Sequence, residues 1–238
     1  MSYSWNNRTE LLLGAEGMEH LAGSHVLVVG LGGVGAYAAE LICRAGVGTM
    51  TIVDADVVQE SNINRQLPAL HSTLGQTKAE VVGARLTDIN PRLKLTILHE
   101  FLRDERTEEL LLSTPFDYIV DAIDSLSPKV YLLHFAVKHD IPIVSSMGAG
   151  AKVDPAQVKL ADISKSHNCT LAKMVRKRLH RLGVRRGIPV VFSTEMVNPE
   201  AVIEVEDEAC KKTTTGTVSY MPAIFGCFLA SHVIRNLQ

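Results

Sequence analysis

The 238-residue chain is poor in several things that would point to particular functions. Its four cysteines, Cys43, Cys169, Cys210 and Cys227, include no CxxC pair. That excludes a zinc ribbon and a dithiol redox centre. Scattered thiols suit a reducing compartment better than a disulfide framework, so a cytoplasmic location is expected. Aromatic residues make up 5% of the chain, with a single tryptophan, and no aromatic run offers a base-stacking platform. Long apolar runs are missing too. The longest, Val218 to Ile234, is interrupted by Ser219, Ser231 and His232 and is short for a bilayer. It reads as a buried helix, and no membrane association is expected. Met1 to Glu10 is polar and lacks the apolar core of a signal peptide. No GxxxxGK[ST] occurs, which excludes a P-loop.

What is present is an ordinary globular composition, 46% hydrophobic and 21% charged. The chain is long enough to build a core without disulfides. Lys and Arg number 24 against 26 Asp and Glu, a net charge of −2. That near-balance conceals a segregation. Ile163 to Thr194 carries eight Lys or Arg and no acid, leaving 16 basic against 26 acidic residues elsewhere.

Strand-like and helix-like segments alternate. Strands are expected at His25–Val29, Met50–Val53, Leu93–Leu98, Tyr118–Val120 and Ile141–Ser145. Helices are expected between them at Gly33–Ala45, Thr77–Ile89, Arg106–Leu112 and Ser127–Lys138. Continuous apolar strands alternating with helices predict an α/β fold: a Rossmann-like, mostly parallel sheet with helices on both faces. Beyond Gly150 the pattern changes to strands at Val158–Ile163 and Pro189–Ser193, a helix at Thr170–Leu182 and a last helix at Met221–Leu237. No repeat or low-complexity linker divides the chain. The expected organisation is one domain, 1–238, with a nucleotide-binding half at 1–150 and a substrate-side half at 151–238.

Between the first strand and first helix stands Gly30-Leu31-Gly32-Gly33-Val34-Gly35. Such glycines let backbone approach a phosphate and aim helix N-terminal amides at it. Asp54 ends the second strand, where a carboxylate can bond a ribose. This fingerprint alone leaves a nicotinamide cofactor and ATP both open. The following block, Asp54-Ala55-Asp56 through Ser61-Asn62-Ile63-Asn64-Arg65-Gln66, favours ATP. Asn62 and Arg65 offer a donor and a guanidinium fork to terminal phosphates. Lys78 adds a point charge, and Asp124, just past the fourth strand, can hold Mg²⁺ on those phosphates. Taken singly, these are a surface lysine, a loop arginine and a helix cap.

The ordered set GxGGxG, DxDxVxxSNxxRQ, a lysine and DxxD resembles the ThiF/MoeB family related to ubiquitin-activating enzymes. That resemblance implies an adenylating enzyme using ATP and Mg²⁺. It implies that Gly30, Gly32, Gly33 and Asp54 hold adenosine and ribose, with Asp56, Ser61 and Ser125 beside them. Asn62, Arg65 and Lys78 would be phosphate ligands and Asp124 the metal-binding and catalytic aspartate. Arg8 would reach across a homodimer to the partner's ATP. Some relatives add a catalytic cysteine or a CxxC zinc pair; neither is here. Cys43 and Cys227 are expected in the core, Cys169 and Cys210 in polar, exposed surroundings.

The second half is similar to a tRNA-modifying branch of the same family. The carrying segments are Ser146-Met147-Gly148-Ala149-Gly150, Asp154-Pro155, Ala161-Asp162-Ile163-Ser164-Lys165 and Val191-Phe192-Ser193-Thr194-Glu195. The run His167 to Leu171 departs from the branch's usual Asp-Pro-Leu. The branch activates the carboxylate of threonylcarbamoyladenosine in tRNA and closes it to a hydantoin with a nitrogen of the same group. An internal nucleophile needs no enzyme thiol. In the basic segment, Leu171, Met174, Val175, Leu179 and Leu182 form one helical face. Lys173, Arg176, Lys177, Arg178 and Arg181, followed by Arg185 and Arg186, suit an RNA backbone. The acidic run Glu204 to Glu208 reads as solvated surface. The alternative is adenylation of a sulfur-carrier protein, which would bring in a sulfur-transfer protein as partner.

Overall fold

The computed structural model describes residues 5–204 and 213–238. Cys210 and the acidic run beyond Glu204 lie outside the described residues, as does the side chain of Glu204 itself. The elements in chain order are α1 (Asn7–Gly23), β1 (His25–Val29), α2 (Gly35–Ala45), β2 (Thr49–Val53), α3 (Lys78–Ile89), β3 (Lys94–Leu98), α4 (Asp104–Ser113), β4 (Tyr118–Asp121), α5 (Leu126–Lys138) and β5 (Ile143–Ser146). They continue with β6 (Val158–Asp162), α6 (Thr170–Arg181), β7 (Pro189–Ser193), β8 (Val202–Glu204), β9 (Thr213–Thr215) and α7 (Tyr220–Leu237).

Seven strands form one sheet in the order β3-β2-β1-β4-β5-β7-β6. All neighbours run parallel except the edge pair β6–β7, which is antiparallel, so the expected mostly parallel sheet is observed. β8 and β9 form a separate antiparallel pair.

Alternation along β1 explains the two-sided packing. Val26 and Val28 point into a core with Ala39, Ile42, Val82, Phe225 and Leu229, from α2, α3 and α7. Leu27 and Val29 enter a second core with Leu110, Leu133, Val175 and Leu179, from α4, α5 and α6. Successive side chains leave opposite faces of a strand, so a five-residue apolar run feeds both layers.

α7 buries Met221, Phe225, Leu229 and Val233, a stripe at helical spacing. No helix of the described residues is long and apolar enough to cross a membrane. Cys227 falls off that stripe and is exposed, which corrects the expectation that it is core. α1 was not foreseen; it is broken at Gly14 and leaves Leu11 and Leu12 each 83% exposed.

Candidate nucleotide and RNA site

The glycine loop leaves the carboxyl end of β1, beside the carboxyl ends of β2 and β4. Gly30 has φ +89°, a left-handed conformation, and a Cβ there would lie 2.7 Å from the Ala122 carbonyl oxygen. A side chain is therefore refused twice, by backbone conformation and by space. Leu31 N–H donates to Asp54 Oδ2 at 2.5 Å and Asp56 N–H to Asp54 Oδ1 at 2.8 Å. Asp54 thus tethers the glycine loop to the end of β2. Burial, the largest influence, pushes its carboxyl above the usual range; Lys78 and the two amides oppose that. Gln66 packs against Gly32, and its Oε1 is buried with no hydrogen-bond partner.

Lys78 opens α3. Its backbone N–H donates to the Asp56 carbonyl at 2.9 Å, and Thr77 caps the helix through the Glu80 amide. The Lys78 side chain is 6% exposed, and its Nζ lies 2.7 Å from Oδ2 of Asp56, whose side chain is 69% exposed. It is therefore no surface lysine: its side chain is almost wholly buried and its ammonium is paired with Asp56. Asn62 is buried in a short 3-10 turn, where its Oδ1 accepts from Gln59 N–H at 3.2 Å. Arg65 is held by Nη1 bonds to the Ser61 carbonyl and to Asn64 Oδ1, both 2.8 Å. Ser61 contributes here through its backbone.

Asp124 is exposed on the loop between β4 and α5. Ser125 is the N-cap of α5, and its side chain makes no capping bond. Asp121, three residues back, is wholly buried and paired with wholly buried Lys129 at 2.5 Å. Asp121 opens the DxxD motif read from the sequence; Lys129 was not singled out.

The basic helix α6 packs by Ala172, Val175 and Leu179; Met174 and Leu182 are more exposed than the expected apolar face required. Lys173, Lys177, Arg181, Arg185 and Arg186 are exposed. Arg176 and Arg178 are half-buried and engaged: Arg176 donates to the Ser166 carbonyl at 2.7 Å, and Arg178 to Ser127 Oγ at 2.7 Å. The second bond ties the basic helix to the start of α5, three residues from Asp124. Cys169 corrects another expectation. It is buried as the N-cap of α6, its Sγ accepting from Ala172 N–H at 3.4 Å. Lys152, also missed, is buried, donates to the carbonyls of Asn168 (3.1 Å) and Glu195, and is lowered in pKa by that burial.

The ThiF family model matches residues 5–238. The chain belongs to the ThiF family. Its similarity to ThiF members acting on tRNA spans nearly everything. It is 40% identical to the tRNA threonylcarbamoyladenosine dehydratase of Bacillus subtilis, over 97% of this chain and 93% of the relative. A crystal structure of the Escherichia coli tRNA N6-threonylcarbamoyladenosine dehydratase, TcdA, in complex with ATP matches with a TM-score of 0.88 at 34% identity, covering 98% of this chain and 93% of the other. By contrast, the Escherichia coli molybdopterin-synthase adenylyltransferase is 35% identical over 62% of this chain and 59% of its own length.

One residue attributed to the ThiF site stands apart in this fold. Arg8 is exposed in the first turn of α1. Asn6 and Glu10, flanking it, line a groove with Gly46, Thr49, Asn90 and Lys94. Thr49 and Lys94 begin β2 and β3, whereas the glycine loop and Asp54 lie at the carboxyl ends. A five-residue strand at about 3.3 Å per residue separates the two edges by about 16 Å. The fold gathers Gly30, Gly32, Gly33, Asp54, Asp56, Asn62, Arg65, Lys78 and Asp124 around one edge and leaves Arg8 at the other.

Proposed function

We propose that this ThiF member is an ATP-dependent tRNA threonylcarbamoyladenosine dehydratase. The observation that carries the reading is a glycine loop tethered by Asp54, with Asn62, Arg65 and Lys78 at the same sheet edge, together with a basic helix tied by Arg178 to the start of α5, three residues past Asp124. Similarity to the dehydratases over 97% of the chain supports it.

ATP is a substrate, and the residues fit it. Gly30 leaves a cradle that a Cβ would fill, Asp54 stands where a ribose would be bonded, and the unpartnered Gln66 Oε1 faces the glycine loop. For Mg²⁺ the donor chemistry also fits. Among the described residues no group of three or more His, Cys, Asp or Glu could hold a metal. Mg²⁺ commonly takes one or two carboxylates and completes its shell with phosphates and water, so Asp124 suffices. When bound there it would neutralise phosphate charge.

The carboxylate of the modified nucleoside attacks the α-phosphorus of ATP, and pyrophosphate leaves. This replaces a poor oxide leaving group with AMP. A nitrogen of the same group then attacks the activated carbonyl, closing the hydantoin ring and releasing AMP and a proton; water is lost overall. No thiol is required, in keeping with buried Cys43 and Cys169. The protein's task is positioning and charge neutralisation. Residues 1–150 hold the nucleotide and residues 151–238 present the tRNA, with Lys173, Lys177, Arg181, Arg185 and Arg186 meeting its backbone. Arg176 and Arg178 chiefly hold α6 in place. Exposed Leu11 and Leu12 beside Arg8 suit a homodimer contact through which Arg8 serves the partner's ATP.

The test is incubation with ATP, Mg²⁺ and tRNA carrying the linear nucleoside. Nucleoside mass spectrometry should show the loss of one water; an unchanged mass with folded protein would refute the proposal.

A further inference from the structure

Lys129 and Asp121 form the one ion pair among the described residues in which both side chains are wholly buried. Burying two charges is costly, and an apolar pair of similar volume often serves stability as well or better. Their geometry suggests what the charges do.

Asp121 is the last residue of β4. One carboxylate oxygen, Oδ2, accepts from Lys129 Nζ at 2.5 Å and from Ser145 Oγ at 2.5 Å. The other, Oδ1, accepts from the Ile123 N–H at 3.0 Å. Lys129 Nζ also donates to Ser145 Oγ at 3.2 Å and to the Ser146 carbonyl at 2.9 Å. The network therefore joins the end of β4, the end of β5 and the first turns of α5. Residues 122–125 run from the end of β4 to the start of α5, between the two partners of the ion pair. That tetrapeptide carries Asp124, and its Ala122 carbonyl lies against Gly30. With both ends and one amide fixed, the loop has little freedom to move Asp124 or to shift the floor under the glycine loop.

We propose that Lys129 is a positioning residue, acting through Asp121 to fix the turn that presents Asp124 to the nucleotide. The proposal rests on the reading of Asp124 as catalytic. A misplacement of the order of 1 Å at a reacting group can cost as much as a hundredfold in rate. Loss of the ammonium leaves a buried carboxylate without its counter-charge, so the turn it organises cannot keep its geometry.

The experiment uses Lys129→Met, which retains the stem's volume, with Asp124→Asn in parallel. Cyclisation turnover, ATP affinity by calorimetry and the thermal midpoint are measured on each. A kcat lowered at least about tenfold, with ATP affinity within about threefold of wild type, is the expected result. Wild-type kcat in folded Lys129→Met overturns the proposal, as does a fall of kcat and ATP-binding capacity together in proportion to the folded fraction. If Asp124→Asn also turns over normally, the reading of Asp124 fails as well; if it is inactive, only the role of Lys129 does. Should Lys129→Met not fold, Ser145→Ala decides. It deletes one donor to Asp121 while keeping the ion pair, and kcat should fall with ATP affinity unchanged; unaltered kcat overturns the proposal.

Discussion

Replacing Lys78 by methionine should separate stability from catalysis. Met keeps a straight apolar stem in the channel that the lysine stem fills, so the packing loss is small. The ion pair removed is lopsided. The lysine side chain is 6% exposed, but its partner carboxylate on Asp56 is 69% exposed and returns to water. A pair with one solvated partner contributes on the order of 0–1 kcal/mol. For a chain of this size that is at most about 2–4 °C in Tm. The catalytic side is different. A single ammonium about 4 Å from a phosphate charge, at an effective dielectric near 20, is worth about 4 kcal/mol. Losing one preorganised donor from a developing charge typically costs about 10²–10³ in kcat. The expected outcome is therefore a near-native Tm with turnover reduced by two to three orders of magnitude, roughly 3–4 kcal/mol. Differential scanning fluorimetry gives the first quantity. Cyclisation of modified tRNA and substrate-dependent pyrophosphate exchange give the second. Turnover within a few-fold of wild type would refute the reasoning, because the buried stem would then serve packing alone.

Other consequences follow from the same geometry. Burial raises the Asp54 carboxyl, so its contribution to stability is full below the unfolded pKa of about 3.9 and is lost as pH rises through the higher folded value. Wild type should thus lose Tm relative to Asp54→Asn as pH is raised from 4 to 7, while the variant binds ATP more weakly; a pH-independent Tm difference would contradict this. Neutralising exposed Lys177 and Arg181 to Gln should weaken tRNA binding and reduce the salt slope by about two, near one unit per phosphate contact. An unaltered slope in filter binding would make α6 mere surface. Gly35→Ala places a Cβ 1.8 Å from the Gly30 carbonyl oxygen, so the loop or α2 must shift. A loss of about 1–3 kcal/mol, read as Cm in urea, is expected from overpacking of this kind, and an unshifted Cm would show that the loop yields freely.

The parallel sheet was readable because each central strand is a short apolar run serving two cores at once, as the split between Val26 and Leu27 shows. The nucleotide edge was readable because glycine loops and phosphate ligands need particular residue types at particular places. Other features depended on three-dimensional company. α1 has Leu11, Leu12 and Leu13 side by side, a pattern that marks no helical face, and Leu11 and Leu12 remain exposed. Lys129 sits near the start of a helix, where a lysine reads as surface. Only the fold brings Asp121 and Ser145, eight and sixteen residues away, to its ammonium. Cys169 looked polar because its sequence neighbours are; the fold places it in the second core with Met147, Ile163 and Phe192, close against Gly148, whose added Cβ would sit 3.5 Å from the thiol. Cys227 looked buried because its neighbours are apolar, but helical phase turns it outward.

The placement of Arg8 at the amino ends of the strands has a genetic corollary. Under the proposed dimer, one polypeptide supplies the guanidinium and another the nucleotide cradle, so two defective alleles could rescue each other. Mixed in equal amounts with exchange of subunits, Arg8→Ala and Asp124→Asn chains would form heterodimers holding one intact site and one doubly damaged site. Two inactive preparations would then recover about a quarter of the wild-type rate, as expected for random pairing across a two-fold axis.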